Sequence, residues 1–427
     1  MRSTHTGTAG SYRFTLLAGA AAFAVAMPGV AQAQDAEPEA QEGSNVIVVT
    51  ASKREQTLQE VPISVSVTSG EVLEQAQIRD VLDLQTVTPS LRVSQLQSAS
   101  STTFIIRGFG NGDNNFGIEP SVGVFIDGVF RSRSAAALSD LNMVQRIEVL
   151  NGPQSTLFGK NASAGVISVV TKEPQYEFGG QVEASYGNFN AIVLRGELTG
   201  PISENIAWSL DGSYNKRDGY ATIVNLDEEI SERNRWSARG QLLIEPSADL
   251  KIRAIADYSK IDEACCQVST LVAGPTAPAI FAVGGALDTN FFSYNTFLNQ
   301  VPENVVDNYG GSIQADWNIG NLTVTSITAY RELENFQNQD VDFTSAEVVS
   351  EIRNQKVDTF TQELRIASDF DGPINFLLGG FYFDESITQD SSLTTGPDAR
   401  TFFALLAGNP LVFNGVEQGL GLPQGSI

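Results

Sequence analysis

Residues 206–215 read IAWSLDGSYN, a stretch in which apolar residues or glycine alternate with small or polar residues. Successive side chains of a β-strand point to opposite faces, so a period of two predicts a strand with one apolar and one polar face. The same alternation recurs in residues 235–244, 250–258, 313–319 and 360–366. We therefore predict that the chain after residue 180 forms a sheet with one apolar and one polar face.

The lengths of the connections between these strands distinguish two architectures that the alternation leaves open. A soluble sandwich has no reason to keep its long loops at one end, whereas an outer-membrane barrel has short turns at one end and long loops at the other. Short and long connections alternate along this sequence. The short ones are 200–205, 245–249, 320–321 and 369–374, and the long ones are 218–232, 261–308 and 332–356. Only the hairpin at 187–190 is short where a long loop is expected, so the pattern favours an antiparallel transmembrane β-barrel.

Two further features fit this interpretation. Aromatic residues lie near the ends of the apolar faces, as in the interfacial girdles of membrane barrels: Trp208, Tyr214, Trp236 and Tyr258. The sequence holds about nine strands, the last near residues 376–384, whereas single-chain bacterial barrels have an even number. A barrel that closes around a globular domain needs about 22 strands. Unpaired strand edges are not tolerated in hydrocarbon, so we expect the sequence to be truncated at Ile427.

The first 33 residues have the features of a secretory signal peptide. Arg2 and Arg13 supply positive charge, residues 14–27 form an apolar core, and Ala-Gln-Ala at 31–33 fits a cleavage site. The apolar run is too short for a spanning helix, so the mature chain is predicted to begin at Gln34. Residues 34–45 are acidic and poor in large apolar side chains, and we expect them to be disordered.

Composition excludes several classes of function. The formal net charge is −24, which argues against nucleic-acid binding because that needs a basic face. The one histidine lies in the signal peptide, so the mature chain would have no imidazole. Ser-His-Asp or Cys-His catalysis and a His-ligated zinc or haem site are thereby excluded. We expect neither an enzyme nor a metal or cofactor site.

Two segments follow the acidic leader. Residues 46–51, VIVVTA, are either a first core strand or an exposed segment that the sheet of another protein captures; the flexible leader favours capture. Residues 59–172 are predicted to be a compact α+β domain with strands at 62–67, 104–107, 122–126, 147–150 and 167–171. Thr68 and Glu71 fit a capping box that opens a short helix, and a second helical piece is expected at 80–85.

Several motifs together resemble the TonB-dependent receptors. VIVVTA resembles a TonB box, and the plug-like motifs are FIIRGFG at 104–110, PSVGVFIDGVF at 120–130 and RIEVLNGPQSTLFGKNASAGVISVVTK at 146–172. TQELRIAS at 361–368 resembles an early barrel strand. The resemblance implies a signal peptide at 1–33, a leader at 34–45 and a TonB box at 46–51. It further implies a plug domain at 52–175 and the N-terminal part of a barrel at 176–427.

The same resemblance implies partners and a function. The periplasmic TonB protein of an inner-membrane complex would bind the box by strand addition, through Val46, Ile47, Val48, Val49, Thr50 and Ala51. The barrel would contact outer-membrane lipid. The family imports scarce, bulky solutes across the outer membrane, and a ferric siderophore is the first candidate for the ligand. A glycan, a vitamin or an aromatic compound is the alternative, and a passive pore is a weaker one.

The sequence leaves alternative roles for several candidate site residues. Asn151 stands where the family commonly has an arginine that pins the plug to the barrel, so a contact between Arg107 and Glu363 is offered instead; separate solvation of the two charges is as plausible. The aromatic residues of loop 261–308 could bind the ligand or pack the loop on itself: Phe281, Phe291, Phe292, Tyr294 and Phe297. Cys265 and Cys266 could form a loop staple, a bond between chains or free thiols.

Overall fold

A computed structural model describes residues 47–426, apart from 55, 99, 112–116, 139–140 and 291. The predicted signal peptide, the acidic leader and Val46 lie outside this part of the chain. Within it, no helix is long and apolar enough to cross a membrane.

The N-terminal domain is built around a five-stranded sheet. The strands of the whole domain, in chain order, are β1 Val48–Val49, β2 Gln56–Thr57, β3 Val65–Ser69, β4 Leu91–Gln95, β5 Thr102–Ile106, β6 Val122–Ile126, β7 Val129–Arg131, β8 Val144–Asn151 and β9 Gly165–Thr171. The main sheet has the order β3-β8-β9-β6-β7, in which only β6 and β9 are parallel. The pairs β1–β2 and β4–β5 form separate two-stranded ladders. The five predicted strands are present, whereas β4 and β7 were not predicted.

Short helices connect these strands. They are α1 Gly70–Gln75 and α2 Ser155–Phe158, with 3₁₀ turns at Asp83–Thr86 and Ser134–Ala137. The cap of α1 was predicted one residue too early: Ser69, rather than Thr68, accepts from the amide of Val72. Side chains from α1, the 3₁₀ turns and the sheet form one buried apolar core, which includes Leu73, Leu84, Ile106, Ile147 and Ile167.

The rest of the chain forms a nine-stranded antiparallel wall in simple chain order. Its strands are β10 Gly179–Gly187, β11 Ala191–Ser203, β12 Ile206–Arg217, β15 Arg233–Ser247, β16 Leu250–Glu263, β18 Glu303–Ile319, β19 Leu322–Asp340, β20 Val349–Ser368 and β21 Leu377–Thr395. The prediction of about nine strands is confirmed. The predicted alternation of connections is present in part. The long connections 218–232 and 264–302 lie at one end of the wall, but 341–348 and 369–376 are equal in length.

One long connection is shorter than predicted. β19 and β20 stay paired as far as Asp340 and Ser350, so residues 341–348 connect them instead of 332–356. The prediction ended both strands where their apolar face ended. A backbone ladder continues past that point because polar side chains on both faces are tolerated once a strand has left the hydrocarbon.

The long connections carry small elements of their own. These are β13 Ala221–Ile223, β14 Glu228–Ile230 and β17 Asn295–Thr296, with helices α3 Ala277–Ala282, α4 Ala399–Ala407 and α5 Val412–Leu420. β13 pairs with β14 of its own connection and with β17 of the next. Ile280, Ala346 and Phe402 share a buried apolar cluster, so three connections form one layer at the long-loop end.

The two faces of the wall differ sharply in exposure. On β12 the polar residues Ser209, Asp211 and Asn215 are buried against the N-terminal domain, whereas Leu210 is 53% exposed on the opposite face. The same apolar outer face carries Leu242, Ile313, Trp317 and Leu364, all exposed. A soluble protein would bury the apolar face and expose the polar one, so this arrangement indicates a wall that faces lipid outside and a polar lumen inside.

Candidate functional site

We call the predicted TonB box, residues 46–51, the coupling segment. Its described part, Ile47 to Ala51, is folded against the N-terminal domain. Within the described part of the segment, Val48 and Val49 pair with Thr57 and Gln56 in the β1–β2 ladder. Val49 and Ala51 are fully buried, in a cluster that includes Phe125 and Phe158. Ile47 and Val48 are 47% and 43% exposed. The segment therefore presents one open side and anchors the other in the plug core.

A buried carboxylate holds the middle of this segment. Glu148 Oε1, on β8, accepts from the Thr50 amide at 2.9 Å, from the Thr50 hydroxyl at 3.2 Å and from Arg146 Nε at 2.7 Å. Glu148 is fully buried. A carboxylate with this many donors makes strong, charge-assisted hydrogen bonds, so Glu148 acts as a latch on the backbone of the segment.

The residues just after the segment tie it to the wall. Lys53 Nζ lies 3.1 Å from Glu363 Oε2 on β20, and 4.5 Å from the ring centroid of Phe158. Burial lowers the pKa of Lys53, and the neighbouring Glu363 only partly offsets this. Arg54 donates to the carbonyl of Phe376, in the turn between β20 and β21. The coupling segment therefore lies at the short-turn end of the wall.

The predicted Arg107–Glu363 contact needs a correction. Arg107 Nη2 donates to Ser64 Oγ at 2.9 Å, and Asn151 Nδ2 donates to the Ser64 carbonyl at 3.3 Å. Glu363 instead pairs with Lys53 and with Arg365 of its own strand, Nη1 to Oε1 2.7 Å. The partner of Glu363 in the N-terminal domain is therefore Lys53. Lys53 lies in a segment without apolar periodicity, so sequence patterns do not indicate where its side chain points.

A second group of charges joins plug to wall, with acids on the plug side. Asp127, in the turn between β6 and β7, accepts from Arg239 at 3.2 Å and from Arg253 at 3.4 Å. It also accepts from the Thr171 amide at 2.9 Å. Burial raises the pKa of Asp127, but the two guanidinium groups outweigh it and hold that pKa below its usual value. Gly128, with φ +76°, completes the turn that aims this carboxylate at the wall.

Two further ion pairs between the N-terminal domain and the wall were not predicted from the sequence. Arg235 Nη1 lies 3.0 Å from Asp80 Oδ2, and Arg133 Nη2 lies 3.0 Å from Glu385 Oε1. Both pairs are almost wholly buried. The Asp-Gly turn signal at 127–128 could have pointed to Asp127. Sequence alone gives no signal that pairs Asp80 or Arg133 with residues more than a hundred positions away.

The predicted ligand aromatics lie at the long-loop end. Phe281, Phe292 and Tyr294 are exposed, Phe297 is half-buried, and Phe291 lies outside the described residues. The Tyr294 ring packs edge-on against Tyr220, with the two centroids 6.0 Å apart. Three of the predicted aromatics are thus accessible, and their role as ligand contacts stays a prediction.

The adjacent cysteines Cys265 and Cys266 are bonded to each other. The Cys266 amide donates to the carbonyl of Gln97, at the tip of the β4–β5 region, at 3.2 Å. The longest connection of the wall therefore touches the top of the plug.

Comparison with known proteins decides the family. The sequence profile described as TonB-dependent Receptor Plug Domain matches residues 57–166. This chain is also 29% identical over 185 residues to the pesticin receptor of Yersinia pestis, a match that covers 43% of this chain and 26% of that receptor. Residues 57–166 are a TonB-dependent receptor plug domain. The N-terminal domain of the chain is the plug, its wall is part of the barrel, and its place is the outer membrane.

One further similarity of sequence and one of fold agree with the plug domain match. The chain is 32% identical over 190 residues to the iron-regulated outer membrane virulence protein of Vibrio cholerae, covering 40% of this chain and 28% of that protein. Its fold resembles the ferric yersiniabactin uptake receptor from Yersinia pestis with a TM-score of 0.69 and 18% identity, covering 78% of this chain and 50% of that one. The chain thus spans half of that solved structure and about a quarter of the curated relatives.

Proposed function

We propose that this receptor takes part in TonB-dependent active import of a scarce, bulky solute across the outer membrane, with a ferric siderophore as the first candidate. The observation that carries the proposal is the position of the coupling segment. Ile47 to Ala51 lie at the short-turn end, which faces the periplasm in outer-membrane barrels, and the exposed aromatics lie at the opposite end. Two of the similar proteins are named as a ferric yersiniabactin uptake receptor and as an iron-regulated outer membrane protein, which supports a chelated-iron cargo.

Capture of the coupling segment would use strand addition. β1 is only two residues long, and the side chains of Ile47 and Val48 are open to solvent. The TonB protein would pair with the backbone of this β-branched run once it leaves β2, because an extended strand adds readily to an exposed sheet edge. A pull would then load the Thr50–Glu148 bonds and the Lys53–Glu363 pair first.

A passive pore is the weaker alternative. Diffusion needs an open lumen, whereas the polar face of this wall is covered by the plug and joined to it through the buried pairs of Asp80, Asp127 and Arg133. Removing one partner of a buried ion pair is strongly unfavourable. Opening a path past such pairs calls for work delivered from outside the barrel.

The test is deletion of residues 46–51 from the full-length receptor. We expect ligand binding to be retained and uptake to be lost. A deletion of equal length in the acidic leader, residues 36–41, is the control and should leave uptake unchanged. Wild-type uptake after removal of 46–51 would refute TonB-dependent import by this route.

A further inference from the structure

The connections at the long-loop end of the wall are poor in positive charge. The connections 218–232, 264–302 and 341–348 contain acidic residues but no Lys or Arg. The last segment, 396–427, has Arg400, which is paired with Glu417 and donates to Asn414 Oδ1 at 2.9 Å. A negatively charged solute that reaches these connections therefore meets carboxylates and one cation that is already paired.

The upper lumen has the same character. Carboxamides line the inner face of β18, β19 and β20: Asn304 donates to Asn335 at 3.1 Å, and Gln337 donates to Ser98 of the plug tip at 3.0 Å. Arg353 lies among them, but its Nη2 contacts both oxygens of Glu351 at 2.7 Å. The described residues of the plug tip, 96–101, are uncharged. The wall above the plug thus offers neutral hydrogen-bonding groups.

One cation near the mouth is held differently. Arg217, at the end of β12, donates through Nη2 to the carbonyl of Ser231 at 2.6 Å, and its guanidinium lies 5.1 Å from the ring centroid of Tyr220. The ring covers the cation and the carbonyl takes part of its donor capacity. Arg217 is therefore shielded from an incoming anion.

Aromatic and aliphatic side chains are exposed at the mouth beside the acidic ones. Phe292 is 82% exposed, and Leu271, Val272, Tyr220 and Tyr294 are exposed as well. Such rings and branched chains bind apolar or aromatic surfaces, and aromatic faces also attract cations. The acidic residues beside them give the entrance a negative potential, which slows the approach of anions and favours cations.

We propose that the external mouth selects solutes that are neutral or positively charged and carry apolar surface, and that it disfavours polyanionic chelates. This inference rests on the proposed import function and narrows its cargo. Among ferric chelates it favours neutral and cationic trihydroxamates over trianionic tricatecholates, because connections 218–232, 264–302 and 341–348 contain no Lys or Arg to compensate three negative charges.

A charge series on one scaffold tests the inference by equilibrium binding to the full-length receptor. The probes are a linear ferric trihydroxamate with a free amine, its neutral N-acetyl form, its anionic N-succinyl form and a trianionic ferric tricatecholate. We expect the cationic and neutral forms to bind at least about tenfold more tightly than the two anions. Tightest binding of an anion, or no binding of the cationic and neutral forms, would overturn the inference.

Charge reversal tests the physical cause. Glu228 and Glu229 are exposed in connection 218–232, and Glu204 and Asp371 are exposed in the short turns. Glu228→Lys with Glu229→Lys should speed association of the tricatecholate about tenfold at low salt. Glu204→Lys with Asp371→Lys changes the net charge equally at the other end and should leave that rate unchanged. Equal effects of the two pairs would refute a role for the mouth.

Failure of this inference is separable from failure of the import function. Binding preferences are measured without energy coupling, and the deletion of 46–51 should leave them intact. A receptor that prefers the tricatecholate but still needs residues 46–51 for uptake would retain the function and lose the proposed selectivity.

Discussion

Lys53 Nζ lies 3.1 Å from Glu363 Oε2, with the Lys53 side chain 8% and the Glu363 side chain 12% exposed. The pair joins the coupling segment to the barrel wall, since Lys53 follows Ala51 by two residues. The ammonium also lies near the rings of Phe158 and Phe125, which favour a cation. Lys53 is thus held on two sides in a position that any outward pull on residues 47–51 would strain.

Glu363→Gln should loosen the coupling segment. The substitution leaves the Lys53 ammonium buried without its counter-charge, a change that costs about 3–5 kcal/mol for buried pairs. We expect faster hydrogen exchange of the Val49 to Ala51 amides in the full-length receptor. Glu385→Gln, which removes the partner of Arg133 instead, is the control and should leave those amides protected. Unchanged exchange in Glu363→Gln would show that the pair does not restrain the segment.

Glu148→Gln should release the Thr50 backbone. The carboxylate oxygen that accepts from Thr50 and Arg146 becomes part of a neutral amide, and loss of such buried, charge-assisted bonds costs about 1–3 kcal/mol. The Thr50 amide should therefore exchange faster than in the wild type. Glu119→Gln, which breaks the exposed pair with Lys160, should shift stability by less than about 1 kcal/mol. The latch assignment fails if the two variants behave alike.

Asp127→Asn should weaken the attachment of the plug. The variant leaves Arg239 and Arg253 facing a neutral side chain, and we expect a loss of about 3–5 kcal/mol in the free energy of unfolding. Calorimetry of the full-length receptor measures this as a lower transition temperature of the plug. Glu173→Gln, whose partner Lys251 is more exposed, serves as the matched control with a small expected effect. A transition temperature equal to that of the wild type would contradict the role assigned to Asp127.

The contribution of Asp127 to the free energy of unfolding should depend on pH. Its pKa in the folded protein is lowered below the usual aspartate value of about 3.9, so the folded state binds the proton less readily than the unfolded state. The stabilisation is then complete above about pH 5 and is lost as the pH falls through the folded pKa. The stability difference between wild type and Asp127→Asn should shrink between pH 6 and pH 2. A difference that stays constant over this range would rule out the ionised carboxylate as its source.

The mature receptor should begin at Gln34. The cleavage pattern Ala31-Gln32-Ala33 follows an apolar core of signal-peptide length. Intact-mass measurement of the protein extracted from outer membranes would locate the N-terminus. Recovery of a chain that still carries His5 would contradict cleavage and the exclusion of imidazole chemistry.

The barrel wall was largely predictable from sequence because its signal is repeated. Alternation of apolar and polar side chains recurs in strand after strand, as in β12 and β15, and each repeat adds to the same conclusion. The limits of β19 and β20 were not predictable in this way. Their outer parts have polar residues on both faces, so the period-two signal stops before the ladder does.

The plug–wall contacts were mostly not predictable. Family resemblance singled out Glu363, but its partner depended on the path of a segment without periodicity, and Lys53 took the place expected of Arg107. Asp80 and Asp127 meet arginines from distant strands, and their pairing follows from how plug and wall meet in space. Local sequence patterns do not predict how the plug and the wall are placed relative to each other.

The distribution of these charges also fixes how the plug is turned inside the barrel. Asp127 faces the arginines of β15 and β16, whereas Lys53 and Arg133 face the glutamates of β20 and β21. Turning the plug about the barrel axis until Asp127 reached Glu363 would bring two carboxylates together, and like charges at close range repel. The opposite signs of the charges on β15–β16 and on β20–β21 thus favour a single rotational setting of the plug inside the wall.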